Sequence, residues 1–125
     1  MHKAQEQVKE FHKAFDILIA DRPEVPDLDT TKLRLSLIEE ELGELRVAMY
    51  LEDDLVGIAD AIGDLLYVVY GTAVSCGIDM EPIFDEIHRS NMTKVGGHKR
   101  EDGRWVKPDT YEPAQLEPII ESQIC

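Results

Sequence analysis

Residues 53–75 read DDLVGIADAIGDLLYVVYGTAVS, and the fold follows from how few of these positions are polar. Wound at about 100° per residue, Asp53, Gly57, Asp60, Asp64, Tyr67, Gly71 and Ser75 fall on one narrow stripe. The rest of the circumference is apolar: Leu55, Ile58, Ala59, Ile62, Leu65, Leu66, Val68, Val69, Ala73 and Val74. A helix apolar around most of its girth sits at the centre of a bundle, so the polar stripe is expected to face a cavity or another helix. The girth also exceeds what a small monomer covers easily, which predicts a homodimer or homotetramer. Asp60 and Asp64 interrupt the apolar run, so it is not read as a membrane span.

Upstream, Lys32 to Leu51 predicts a second helix, with Thr30 or Thr31 as its N-cap. On its wheel Lys32, Ser36, Glu39, Gly43, Arg46 and Tyr50 form the solvent stripe. Leu35, Ile38, Leu42, Leu45 and Met49 form the apolar seam expected to face the core. Beside the seam lie Leu33, Leu37, Ala48 and Leu51. Glu41 and Glu44 project among these apolar residues, Glu40 lies at the edge, and Arg34 falls inside the apolar arc two turns from Glu41. Further out, Val8, Phe11, Phe15, Leu18 and Ile19 give a first amphipathic helix over Ala4 to Ala20, ended by Pro23 and Pro26. Gly77 suits the left-handed position after the third helix, and Asp79 with Pro82 opens a fourth that reaches Met92. Beyond Gly96-Gly97 the chain is an irregular tail. Asp102-Gly103 marks a small hairpin or an irregular turn there, and a short helix is expected over Ala114 to Gln123. The expectation is one all-α domain of the four-helix-bundle type spanning 1–125, with its core over about 4–95 and the tail over 96–125.

At 125 residues and a formal charge of −13, the chain lacks the Lys/Arg excess that a nucleic-acid or anionic-membrane binder needs. Cys76 and Cys125 show no CxxC spacing and the four histidines no HxxxH pairing, so neither a zinc site nor a disulfide framework is read. No apolar leader is evident at the N-terminus, and a reducing, cytoplasmic setting is expected. Glu39, Glu52 and Asp53 read as solvated acids. Glu41, Glu44, Asp60 and Asp64 differ, because carboxylates gathered from two apolar helix faces repel one another unless counter-charge joins them. All the donors are hard oxygens, which points to Mg²⁺, with Mn²⁺ as the other candidate.

Glu40-Glu41-Leu42-Gly43-Glu44 followed by Asp60-Ala61-Ile62-Gly63-Asp64-Leu65-Leu66-Tyr67 resembles the all-α nucleoside triphosphate pyrophosphohydrolases: MazG, the dimeric dUTPases and phosphoribosyl-ATP pyrophosphohydrolase. The likeness continues through Tyr70-Gly71, Gly77-Ile78-Asp79, His88-Arg89-Ser90-Asn91-Met92-Thr93-Lys94, Asp102-Gly103 and Lys107-Pro108. It implies hydrolysis between the α- and β-phosphates of a (d)NTP, to a monophosphate and pyrophosphate. It makes Glu41, Glu44 and Asp64 metal ligands and Glu40 the outer carboxylate that orients or deprotonates the attacking water. Asn91 and Lys94 would meet substrate phosphate or sugar, and Lys107 would add a positive contact. Arg34, Lys94 and Lys107 would stabilise the leaving pyrophosphate. Where the family usually has Glu three residues before the final Asp, this chain has Ala61, and Asp60 is its substitute one turn from Asp64. Two other readings share the sequence: hydrolysis of phosphoribosyl-ATP in histidine synthesis, and a non-enzymatic acidic helical interaction protein.

Overall fold

A computed structural model describes residues 1–124; Cys125 lies outside the described residues. The elements are α1 (Lys3–Ala14), α2 (Leu28–Val47), a π-helical turn (Ala48–Glu52), α3 (Leu55–Cys76), α4 (Met80–Met92), β1 (His98–Lys99), β2 (Trp105–Val106) and α5 (Glu117–Ile124). The chain is all-α apart from the two-residue strands. It divides into two compact units at Asp79, with α4 grouped with the tail in the second.

In the first unit, α1 stops well short of Ala20. Asp16 takes a left-handed φ of 57°, and the residues after it bond to α3 instead of continuing a helix. Ala20 N–H donates to Val74 O at 3.3 Å and Glu24 N–H to Cys76 O at 2.9 Å. These amides satisfy carbonyls that the last turn of α3 leaves without intrahelical partners. The same end is closed by Gly77, whose φ is 71°, with Gly77 N–H on Val74 O and Ile78 N–H on Ala73 O. This is the reciprocal pair of a Schellman cap. A Cβ at Gly77 would also strike the carbonyl of Arg22.

Helix α2 begins at Leu28, ahead of the expected start, because Asp27 rather than Thr30 or Thr31 is its N-cap: the Asp27 carboxylate accepts from Thr30 N–H at 2.7 Å. That bond, added to the positive end of the helix, holds the Asp27 carboxyl below its ordinary range. At the other end α2 widens into the π turn, and Asp53 reverses the chain with φ 46°. Asp54 then caps α3 by accepting from Val56 N–H at 3.1 Å.

The expected seam of α2 is corrected. Leu35, Leu42 and Met49 are 52%, 42% and 60% exposed, whereas Arg34 and Ala48 are buried and Leu37, Ile38, Glu41 and Leu45 half-buried. The face turned inward is therefore the one carrying Arg34, Glu41 and Ala48. Helices α2 and α3 run antiparallel: Arg34 bonds to Val68 and Thr72, and Glu41 and Glu44 meet Asp64. Helix α3 is flanked by α1 as well, through the edge-on ring contact of Phe11 with Tyr67 and the bond from Gln5 Nε2 to Ile78 O at 2.6 Å. The polar stripe of α3 turns inward as expected at Gly71 and Ser75, which are buried, but is exposed at Asp53, Asp60 and Tyr67.

In the second unit the hairpin forms, with His98 opposite Val106 and Lys99 opposite Trp105. The tail is tied to α4 by polar bonds. Buried Ser90 donates to Glu112 O at 2.7 Å, Thr93 Oγ1 accepts from Glu112 N–H at 2.8 Å, and Trp105 Nε1 donates to Lys94 O at 2.7 Å. Glu86 accepts from Arg89 at 2.7 and 2.9 Å and from Gln115 N–H at 2.7 Å. The Arg89 bond first, and the Gln115 amide second, hold the Glu86 carboxyl down at about 2. The short helix expected over Ala114 to Gln123 is α5.

Candidate metal centre

Glu41 and Glu44 lie three residues apart on α2, so one face of the helix presents both. Asp64 on α3 stands across from them. One oxygen from each lies within 4.8 Å of the others. Glu41 sits on the inward face and Glu44 is exposed, so the group opens to solvent on one side. Glu41 Oε2 is buried and has no hydrogen-bond partner among the described residues. Burial first, then hydrogen bonding to Glu44, then the charges of Glu44, Asp64 and Glu40 push the Glu41 carboxyl above its ordinary range.

Beside this trio runs a cleft of about 570 Å³ between α2, the π turn and α3. Its carboxylates are Glu40, Glu44, Glu52 and Asp60, and its small residues are Gly43, Ala48, Gly57 and Ala61. Every charged side chain lining it is an acid, so a ligand entering it must bring cationic charge or donors. Ala61 is 4% exposed. The position where the resembled family carries Glu is thus occupied by a buried methyl group, and Asp60 faces the cleft outside the trio.

The donor chemistry fits a hard divalent cation. Three carboxylates converge, one oxygen lacks any partner, and no nitrogen or sulfur belongs to the set. Such an ion would offset the burial that chiefly holds the Glu41 carboxyl up, and the repulsion from its neighbours that adds to it.

The remaining expected residues are placed elsewhere. Arg34 is 5% exposed; its Nη2 donates to Val68 O at 2.9 Å and its Nε to Thr72 Oγ1 at 3.3 Å. It does not pair with Glu41. The cause is the helix register, which sets Arg34 against α3 backbone rather than the cleft. Asn91, Lys94 and Lys107 belong to the second unit. There the Nζ atoms of Lys94 and Lys107 lie 5.8 and 4.6 Å from the centroid of the Tyr111 ring, a shared cation–π platform. Sequence reasoning missed Tyr111 in this role; Glu52, read as a solvated acid, is exposed and also lines the cleft. Glu52 follows Glu44 and Ala48 at steps of four, the one signal that places it along the cleft.

Comparison with known proteins gives two findings. The model of the phosphoribosyl-ATP pyrophosphohydrolase family matches residues 8–91, a span that contains the whole acidic trio. The uncharacterized protein L479 of Acanthamoeba polyphaga mimivirus is 47% identical over 70 residues, covering 56% of this chain and 24% of that protein. The chain therefore spans about a quarter of the length of that relative.

Proposed function

The chain belongs to the phosphoribosyl-ATP pyrophosphohydrolase family, within the all-α MazG-like superfamily of acid-anhydride hydrolases, and from that premise we propose that it cleaves the α–β phosphoanhydride of a nucleoside triphosphate with Mg²⁺ or Mn²⁺. The products are a nucleoside monophosphate and pyrophosphate: water adds to the α-phosphorus and the bond to the bridging oxygen breaks. The observation that carries this reading is the orphaned Glu41 oxygen inside a three-carboxylate cluster.

In this reading Glu41, Glu44 and Asp64 hold the metal. When bound, the metal supplies neutralising charge for the polyphosphate and lowers the pKa of a coordinated water. Glu40, at the cleft beside Glu44, orients the attacking water and accepts its proton. Glu52 and Asp60 line the same cleft and offer further acceptors. Asn91, Lys94 and Lys107 keep their assignment to substrate phosphate or sugar on the motif alone. Arg34 is withdrawn from the leaving-group role, since its guanidinium is spent on α3.

The family's own description supports a second substrate, phosphoribosyl-ATP, which presents the same triphosphate to the same carboxylates. A panel of (d)NTPs and phosphoribosyl-ATP, assayed for pyrophosphate release with Mg²⁺ and with Mn²⁺, separates the two. Release from at least one substrate, lost in Glu41→Gln, is expected. No release from any substrate would remove the proposal.

The proposal includes a homodimer. Leu35, Leu42 and Met49 on α2, and Leu55, Ile62, Leu66 and Val69 on α3, are all more than 40% exposed. Their steps of three, four and seven make continuous apolar faces that a second copy would cover. Light scattering is expected to give twice the 14.2 kDa chain mass; four times that mass marks the tetramer, and the chain mass itself contradicts the assembly.

A further inference from the structure

Arg34 is a buried cation with no carboxylate pairing with it among the described residues. Burial draws its pKa down. An apolar side chain of similar volume would avoid the cost of stripping water from the charge. What the guanidinium has, and an apolar group lacks, is a fixed fork of donors. Nη2 reaches Val68 O at 2.9 Å and Nε reaches Thr72 Oγ1 at 3.3 Å. Thr72 Oγ1 in turn donates to Val68 O at 2.9 Å. The fork therefore grips two consecutive turns of α3 at one register.

The surroundings are shaped to admit it. Gly71 is buried, and a Cβ there would collide with Arg34 Nη2 and stand 3.0 Å from His12 Nε2. His12 is 2% exposed, and its Nδ1 donates to Leu18 O at 3.1 Å. The ring is thereby held with Nε2, its unprotonated nitrogen, on the Gly71 side. Arg34 and Glu41 are seven residues apart on the inward face of α2; Val68 and Asp64 are four apart on α3. In an antiparallel pair, a grip at 34 on 68–72 sets which residue stands opposite 41 and 44. A slip of one residue along α3 moves Asp64 by about 1.5 Å and rotates it by about 100°, out of a cluster whose oxygens lie within 4.8 Å.

We propose that Arg34, seated in the notch at Gly71, is the positioning residue that sets the α2–α3 register and so the geometry of the Glu41–Glu44–Asp64 site. Its effect on metal binding rests on the functional reading above; its effect on register does not. The test uses the full chain in a Cys76→Ser, Cys125→Ser background, with nitroxide labels at Ser36→Cys on α2 and Gly63→Cys on α3. A Cβ at Gly63 meets open space. Labelled chain is diluted with unlabelled chain so that only intrachain distances are read.

One narrow distance distribution is expected with Arg34 in place, and a shifted or broadened one in Arg34→Met and in Gly71→Ala. Gly71→Ala displaces the guanidinium without removing it, and Arg34→Lys, which cannot span both acceptors, is expected to rescue in part. Arg34→Met is expected to melt no lower than the parent in EDTA while its Mn²⁺ affinity falls about tenfold or more. An unchanged distance distribution in folded Arg34→Met and Gly71→Ala would overturn the proposal. If the parent chain takes up no Mn²⁺, the functional reading fails, and the distances still decide the role of Arg34.

Discussion

At one end of the α2–α3 interface a guanidinium is buried against neutral acceptors; at the other, three carboxylates converge and one of their oxygens has no partner. Each end turns an ionisable side chain inward, Arg34 at one and Glu41 at the other, and the difference lies in satisfaction. Arg34 finds a carbonyl and a hydroxyl supplied by α3, so its charge is absorbed into packing. Glu41 faces other carboxylates and keeps one oxygen without a partner, so its end of the interface has room for a cation that the proposed function would supply. A satisfied buried charge serves the fold, and an unsatisfied one marks a place for a ligand. Variants at the closed end should act on register, and through it more weakly on metal affinity; variants at the open end remove a ligand and should act on metal uptake and turnover directly.

The largest effect is expected at the open end. Glu41→Gln removes a ligand charge and should cost at least ~10²-fold in pyrophosphate release, more than the loss of a group that merely supports a ligand. In EDTA the same variant should melt at or above the parent, because the repulsion from Glu44 and Asp64 is gone. A variant that releases pyrophosphate at the parental rate would erase the distinction between the two ends. Next comes Gly77→Ala, beside the closed end. The left-handed backbone at Gly77 costs about 1–2 kcal/mol with a Cβ, and the collision with the Arg22 carbonyl adds to it. Thermal unfolding should register the loss while Mn²⁺ affinity stays at the parental value; a joint loss would show that the cap of α3, and not Arg34 alone, bears on the geometry of the acidic trio.

Two carboxylates give opposite pH dependences. The Glu41 carboxyl is raised, so the folded chain binds its proton more tightly than the unfolded chain does. Metal-free stability is therefore highest below the ordinary glutamate range and falls as pH rises through the Glu41 value. The Glu86 carboxyl is lowered to about 2. It contributes stability above the ordinary glutamate range, and that contribution is lost as pH falls towards 2. Melting curves of Glu41→Gln and Glu86→Gln against pH in EDTA should flatten, respectively, the fall with rising pH above the ordinary glutamate range and the fall with falling pH below it. The smallest effect is expected from Asp27→Ala, which removes the cap of α2: a modest fall in melting temperature with no change in Mn²⁺ uptake.

The helices and their facing acids were legible in the residues for the same reason. Glu41 and Glu44 stand three apart in a run of apolar side chains, and Asp60 and Asp64 lie on the one polar stripe of α3, so helical geometry aimed all four at one interface; the narrower set of Glu41, Glu44 and Asp64, which the structure brings together, came from the family resemblance. The ends of α1 and α2 were less legible. Asp16 enters the left-handed region with no glycine to announce it, and Asp27 outcompetes the threonines because a carboxylate meets the helix dipole where a hydroxyl does not. The orientation of α2 was misread for a different reason. A wheel ranks faces by hydrophobicity, and Leu35, Leu42 and Met49 outrank Arg34 and Glu41, yet the chain turns the latter pair inward, Arg34 buried and Glu41 half-buried. A hydrophobic face covered by a second copy is indistinguishable on a wheel from one covered by the same chain. Arg34 could not be assigned from spacing, since its partners Val68 and Thr72 are far along the chain and one is a backbone carbonyl.

Isothermal titration of Mn²⁺ into the full chain near neutral pH, beside Glu41→Gln, tests the account most directly. Saturable uptake with proton release by the parent chain, abolished or reduced at least ~10²-fold in Glu41→Gln, is the predicted result. Absence of uptake by the parent chain, with or without a nucleoside triphosphate, or equal uptake by the two proteins, would contradict it.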